Sequence, residues 1–412
     1  MSRRRNILLS FVGISNYTPC KYALFNKEGK KVNYIQEDLL SRFCSNWEKD
    51  DVVLIFTTKE AKEKHWDNLK AKLKILNSKV QIEPIDIPRG INEKEIWKIF
   101  EIIYQNLKNK DKVILDITYS FRSLPTLLIS LLGYAKLMKS IQVKGIYYGA
   151  FEAKKENTDV APIFDLTAFS DLIDWTNATT SFVKHGTSKG IEELIANMEI
   201  EEKSNLSKFS EKVKEFTENI LFIRGNNIIK NNYNEIRETI AQVREKEIKI
   251  KAINDLINLI DTEISKYKSN ELKNGFIAIK WCLKHDLYQQ AITILTETSS
   301  MYICREIGEK DSSYCPYIIG DALNILNTKK TEEQWNKEAK DNKEIIEDLL
   351  RYFKDNSNVK KNMNKLKKIR NDINHAGFIK WNKTPHEISD IKEKTEKIYN
   401  NLESLFLKNH TD

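Results

Sequence analysis

Cysteine is scarce in this chain, and what there is does not form a pattern. Cys20, Cys44, Cys282, Cys304 and Cys315 are odd in number and scattered, with no CxxC pair. That argues against a disulfide framework or a zinc ribbon and fits a reducing cytoplasm. There is no uninterrupted run of about 18 apolar residues, so no membrane span is expected. Arg3-Arg4-Arg5 precede a short apolar run ending at Ile14, but Ser10 and Gly13 break it and no small-residue cleavage site follows. A first β-strand is expected there rather than a signal peptide. Neither a GxGxxG fingerprint nor a Walker A loop occurs, so a standard dinucleotide or nucleoside-triphosphate site is not supported. Acids and histidines do not cluster with ligand spacing, so no metal and no cofactor is expected.

What is present is charge. Sixty-seven Lys and Arg against 59 Asp and Glu leave a formal net charge of +8, which suits an anionic partner such as nucleic acid. At 412 residues the chain is long for one core, and two domains are the default. The first half alternates between two patterns. Apolar runs at Asn6 to Val12, Asp51 to Thr57, Val80 to Ile87, Lys112 to Thr118 and Val143 to Tyr148 predict five strands. Helical periods at Lys59 to Leu76, Asn92 to Leu107 and Ser123 to Met138 lie between them, and Asn92 with Glu95 suits an N-cap. Near-continuous apolar strands alternating with helices predict a parallel sheet covered on both faces, a Rossmann-like α/β domain over residues 1–183. A helix is expected from Asp165 to Phe182 and a linker over 184–190. Only helical periods follow, at 191–223, 232–267, 274–307, 345–353, 358–376 and 386–407, predicting an all-α domain over 191–412.

In an open parallel sheet, ligands bind beyond the carboxyl ends of the strands. Those ends carry Gly13, Ser15 and Asn16, then Thr57 and Thr58, then Thr118, Tyr119, Ser120, Phe121 and Arg122, then Tyr148 and Gly149. Hydroxyls and amides suit phosphate and ribose, Arg122 suits a phosphate, and aromatic rings suit bases. Pro125 suits the first turn of a helix whose N-terminus favours an anion. Any one of these residues could equally be an ordinary strand end or helix cap.

The second half holds Arg370-Asn371-Asp372-Ile373-Asn374-His375, preceded by Lys360, Lys361, Lys365, Lys367 and Lys368 without an acid among them. Asn371 and His375 are i and i+4 and share a helix face, with Arg370 flanking it. Gly377 suits the C-cap, which would leave His375 in the last turn. A histidine can take a proton from an RNA 2′-hydroxyl or protonate the leaving 5′-oxygen, and arginine can stabilise the phosphoryl charge. The lysines suit a solvated face as well as an RNA track. Trp281, Met301 and Tyr302 read as core, and His185 and His285 have no assigned role.

Two resemblances join these pieces. Asp116 to Pro125, flanked by Leu54 to Ala61 and Tyr147 to Glu152, resembles the CARF domains of CRISPR-associated proteins. That resemblance implies a homodimer binding cyclic oligoadenylate, with Tyr119-Ser120 standing where the family often has His-Gly. Arg370 to His375 resembles the Arg-x4-6-His signature of HEPN ribonucleases, and Tyr288 to Glu297 is similar to an earlier helix of that family. The pair implies a metal-independent endoribonuclease of type III CRISPR defence. It would cut single-stranded RNA with Arg370, Asn371 and His375 and answer to cyclic oligoadenylate, with cyclic tetra-adenylate the expected form. A non-catalytic nucleotide sensor, or a ring nuclease degrading cyclic oligoadenylate in the first domain, are the alternatives.

Overall fold

The structure is a computed structural model and describes residues 3–119, 124–154, 156, 158–198, 204–247, 250–309, 315–378 and 385–408. The chain divides into two units, Met1–Asp174 and Trp175–Asp412.

In the first unit the chain runs β1 Asn6–Val12, β2 Cys20–Leu24, β3 Lys27–Val32, α1 Ile35–Phe43, β4 Val52–Thr57, α2 Lys59–Leu76, β5 Gln81–Asp86 and α3 Glu93–Asn106. It continues with β6 Lys112–Asp116, α4 Leu124–Lys139, β7 Gln142–Gly149, β8 Val160–Asp165 and α5 Thr167–His185, which crosses the division. The sheet order is β3-β2-β8-β7-β6-β1-β4-β5. All five expected strands are there, as the parallel run β7-β6-β1-β4-β5.

The alternation within these strands explains the two covered faces. Leu8, Val53 and Ile55 pack on one side with Leu39 and Leu40 of α1 and Leu69 and Leu73 of α2. Ile7, Leu9, Leu54 and Phe56 pack on the other with Ile99 and Ile103 of α3 and Leu128, Leu131 and Leu132 of α4. The switch in strand order falls between β1 and β6, so the crevice outside their carboxyl ends is where such a sheet takes a ligand.

The sheet is mixed and eight-stranded rather than wholly parallel, because three further strands extend it. β2 and β3 form an antiparallel hairpin, with Phe25 at φ 49° and Asn26 at φ 62° making its two-residue turn. β8 runs antiparallel to β7 and parallel to β2. Because Asp165 ends β8, α5 starts at Thr167 and not at Asp165.

The second unit is helical among its described residues. After α5 come α6 Lys189–Ala196, α7 Asn205–Leu221, α8 Gly225–Lys230, α9 Tyr233–Gln242, α10 Lys251–Ile264 and α11 Asn274–Lys284. Then follow α12 Tyr288–Glu306, α13 Cys315–Thr328, α14 Lys337–Asp341, α15 Lys343–Asp355, α16 Ser357–Asn374 and α17 Ile388–Lys408. The expected linker is short, since α5 reaches His185 and α6 begins at Lys189. The 232–267 period is two helices parted by a π turn at Val243–Glu247, and the 274–307 period is two helices parted where Asp286 takes φ 58°.

α12 is the central helix, packed by α11, α13, α16 and α17. Gly275 of α11 permits that closeness: a Cβ there would fall 2.3 Å from Thr298 Oγ1 on α12. Trp281 and Tyr302 are core, whereas Met301 is only half-buried. His285 bonds the carbonyls of Trp281 and Val183, at 2.8 and 3.1 Å.

One expectation about cysteine is corrected. Cys304, in the last turn of α12, is bonded to Cys315 at the start of α13, with Cα atoms 5.9 Å apart. A spacing of 11 carries no local signal; the packing of α12 against α13 brings the sulfurs together.

Candidate functional site

At the carboxyl ends of β1, β6 and β7 the organising group is Asp116, fully buried. Its Oδ2 accepts from Ser10 Oγ at 2.5 Å, and its Oδ1 accepts from Thr118 Oγ1 at 2.6 Å and Thr118 N at 2.9 Å. Thr118 Oγ1 in turn accepts from Gly149 N at 2.8 Å, which ties β6 to β7. Burial pushes the Asp116 carboxyl above its ordinary range, and the bonds from Ser10 and Thr118 only partly oppose this.

Above this network lies a set of rings that sequence reading did not assemble. Tyr17 packs on Tyr119, Tyr34 and His65 with centroids 4.4, 5.2 and 4.8 Å away. Its hydroxyl accepts from Gly13 N at 2.8 Å and donates to Gly13 O at 3.0 Å. The Tyr22 and Tyr119 hydroxyls are 3.4 Å apart, and His65 Nδ1 meets the Tyr34 hydroxyl at 3.2 Å. Burial pushes Tyr119 up to about 12 and holds the His65 imidazolium below its ordinary value. The cluster is therefore neutral at pH 7; Tyr22, Tyr34 and His65 are buried within it, and the half-buried rings of Tyr17 and Tyr119 are the ones a base could stack on. Tyr34 and His65 lie 31 residues apart, so no local spacing could have revealed them.

The strand-end residues fare differently. Gly13 lies beside the Tyr119 carbonyl, and Ser15 and Asn16 are exposed. Thr57 is buried, and Thr58 caps α2 by accepting from Ala61 N at 3.3 Å. The Tyr148 hydroxyl bonds Glu152. Gly149 packs against α1, where a Cβ would fall 2.1 Å from Ile35 Cδ1. Ser120, Phe121 and Arg122 lie outside the described residues.

In the second unit α16 ends at Asn374, one residue before His375. His375, and not Gly377, is the C-cap residue; Ala376 takes the left-handed conformation at φ 52° and Gly377 follows at φ 73°. The Gly377 N to Asp372 O and Ala376 N to Ile373 O bonds, both 2.9 Å, close the helix as a Schellman turn. The motif thus sits on a helix end. Asn371 and His375 are exposed, and half-buried Arg370 reaches α12 to pair with Glu297 Oε1 at 3.1 Å. A cleft of about 710 Å³ runs past Glu297 along Met301, Arg305, Lys230 and Tyr317. Of the five lysines upstream, Lys361, Lys365, Lys367 and Lys368 are exposed and Lys360 is half-buried.

Asp372 is the residue whose role the sequence concealed. It is buried, and its Oδ2 accepts from the backbone N of His386 at 2.9 Å and its ring Nδ1 at 3.0 Å. A second histidine is therefore clasped to the motif from 14 residues away. Among the described residues no group of three or more His, Cys, Asp or Glu side chains could hold a metal. Nor is any described helix long and apolar enough to cross a membrane.

Residues 7–152 match the family model of the CARF domain of the CRISPR system endoribonuclease Csx1. The first unit carries a CARF domain. Its sheet, switch point and hydroxyl-rich strand ends are those described above. Residues 171–273 match the second domain of the CRISPR-associated protein MJ1674. That protein, from Methanocaldococcus jannaschii, is 25% identical over 223 residues, covering 53% of this chain and 33% of the relative's length. A solved structure, Enterococcus italicus Csm6 bound to cyclic hexa-2′-fluoro-hexa-dAMP, is similar along 100% of this chain and 96% of that one, at 12% identity and a TM-score of 0.48.

Proposed function

We propose that the chain is a metal-independent endoribonuclease cutting single-stranded RNA, switched on by cyclic oligoadenylate bound at the CARF domain. In this reading residues 1–183 sense the ligand and 191–412 cut the RNA. The CARF domain supports the sensing half, and so does the neutral ring cluster at its strand ends, which suits adenine and ribose. The observation that carries the cutting half is the helix end: Arg370 anchored on Glu297, with Asn371 and His375 exposed beside it.

The chemistry follows from those groups. His375 moves a proton at the 2′-hydroxyl or the 5′-oxygen, Arg370 meets the charge growing on the phosphoryl oxygens, and Asn371 orients the phosphate. The pair with Glu297 does not lock Arg370 away. Both side chains are a third or more exposed, 33% and 48%, and such a pair is worth only ~0–1 kcal/mol, so a phosphate can displace the carboxylate. A motif on an open helix end leaves the substrate uncovered on one side, which a second copy of the chain would close as a homodimer.

The test is cleavage of a single-stranded RNA in EDTA, with and without cyclic tetra-adenylate. Cleavage should require the ligand, survive the chelator and leave 2′,3′-cyclic phosphate ends. His375→Ala should abolish it while leaving ligand binding intact. Activity indifferent to the ligand, or dependent on metal, would overturn the reading. The inactive-sensor alternative would be selected if no RNA were cut with cyclic tri-, tetra- or hexa-adenylate.

A further inference from the structure

Asp372 stands two residues after Arg370 and three before His375, and it is 5% exposed. Its Oδ1 is buried without a hydrogen-bond partner among the described residues. Keeping a carboxylate in that state costs stability. Its Oδ2 spends both its bonds on one residue, His386. The bond from the backbone amide holds the His386 backbone to Asp372. The bond from the ring adds something else. A carboxylate only accepts, so Nδ1 must donate, which sets the tautomer and the ring's direction and leaves Nε2 to carry a second proton. The ring is 29% exposed, and among the described residues Asp372 is its only hydrogen-bonding partner.

The clasp also places the ring. Pro385 lies against the end of α16, where a Cβ on Gly377 would lie 3.7 Å from Pro385 Cβ. Residues three apart on a helix have Cβ atoms about 5–6 Å apart, so a ring held 3.0 Å from Asp372 lies on the order of 10 Å from His375. Moving a phosphoryl group from O5′ to O2′ requires one proton removed and one delivered, on opposite sides of phosphorus. His375 can serve one of these transfers, and a ring held at this distance with Nε2 free can serve the other.

We propose that His386 is the second proton-transfer group of the RNA-cleaving site, with Asp372 as its positioning residue. The proposal rests on the ribonuclease reading. His375 takes the 2′-hydroxyl proton as the 2′-oxygen bonds to phosphorus. The bond from phosphorus to the 5′-oxygen breaks, its electron pair stays on that oxygen, and His386 Nε2 delivers the proton. The products are a 2′,3′-cyclic phosphate and a 5′-hydroxyl; one proton is gained by His375 and one lost by His386, and exchange with water resets both.

The experiment uses the full chain with cyclic tri-, tetra- and hexa-adenylate in turn. Rates are measured on a single-stranded RNA and on the same RNA with sulfur in place of one bridging 5′-oxygen, whose thiolate leaves without a proton. His386→Asn keeps an amide N–H where Nδ1 stood, so the bond to Asp372 can persist while proton transfer cannot. It should lower kcat on ordinary RNA by about a hundredfold or more with KM little changed, and come within about tenfold of the unmodified protein at the sulfur linkage. Asp372→Asn should show a smaller loss with the same sulfur rescue, and thermal unfolding checks that both variants fold. His386→Asn cutting ordinary RNA within about threefold of the unmodified protein would overturn the proposal, as would equal impairment at both linkages. An inactive unmodified protein, or an active His375→Ala, would instead overturn the ribonuclease reading itself.

Discussion

Asp116 shows what a single side chain does in the CARF domain. It binds Ser10 of β1 and Thr118 beyond β6, and Thr118 binds Gly149 of β7, so one carboxylate links β1 to the end of β6 and, through Thr118, to β7. Its pH dependence has a definite sign. Burial raises its folded-state pKa above the unfolded value of about 3.9, so between the two the folded protein holds the extra proton. Stability from this group is present at low pH and is lost as pH rises from about 4 through the folded value. Asp116→Asn removes that loss. The melting temperature of the variant minus that of the unmodified protein should therefore climb as the pH rises above about 4. A difference that stays constant would show that the carboxyl titrates normally. Asp116 opens the Asp116 to Pro125 motif, but its burial is not legible in the sequence. Ser10 and Asp116 are 106 residues apart, and only the sheet makes them neighbours.

At the scale of elements, apolar period carried most of the reading and failed where other forces set the structure. β1, β4, β6 and β7 were legible because central strands are apolar on both faces. β3 was not, since Lys27, Glu28, Lys30 and Lys31 make it a charged edge strand held by its hairpin. β8 carries Pro162, which reads as a breaker although its carbonyl accepts from Ala150 N at 2.9 Å. In the helical unit the contact between α11 and α12 depends on a missing side chain. Gly275→Ala would place a methyl group 2.3 Å from Thr298 Oγ1, and overpacking of this kind costs about 1–3 kcal/mol. Chemical denaturation should show that loss in Gly275→Ala, and adding Thr298→Ala should recover part of it, since the clash is with that side chain. Strictly additive losses would mean that α11 simply shifts. The α16 end also differs from expectation: the helix stops at Asn374, two residues before 376, and Ala376 as well as Gly377 takes the left-handed conformation.

For the whole molecule, cysteine chemistry is the readout that follows both units at once. Cys20, Cys44 and Cys282 are free and buried, and Cys304 and Cys315 are joined. Burial pushes the Cys282 thiol up to about 12 and raises Cys20 and Cys44 as well, so none presents a reactive thiolate at neutral pH. A thiol reagent should label none of the three in the native protein and all three after denaturation, leaving Cys304 and Cys315 protected until a reductant is added. Five labelled thiols in denaturant alone would show that the bridge does not form. Removing the bridge should cost about 2–4 kcal/mol in the helical unit.

The sequence by itself determined the class of each half, the strand order's raw material and the position of the Arg370 to His375 motif. Those signals are local: a period of two or 3.6, a cap, a spacing of four or five residues, each written within one stretch of chain. Only the tertiary structure decided that Asp116 would meet Ser10, that Tyr17, Tyr34, His65 and Tyr119 would form one ring cluster, and that Cys304 would meet Cys315. It also decided that Arg370 would reach Glu297 and that Asp372 would hold His386. These are pairings between distant residues, and they exist because burial on both faces of a sheet and around a central helix leaves each polar group few partners within reach.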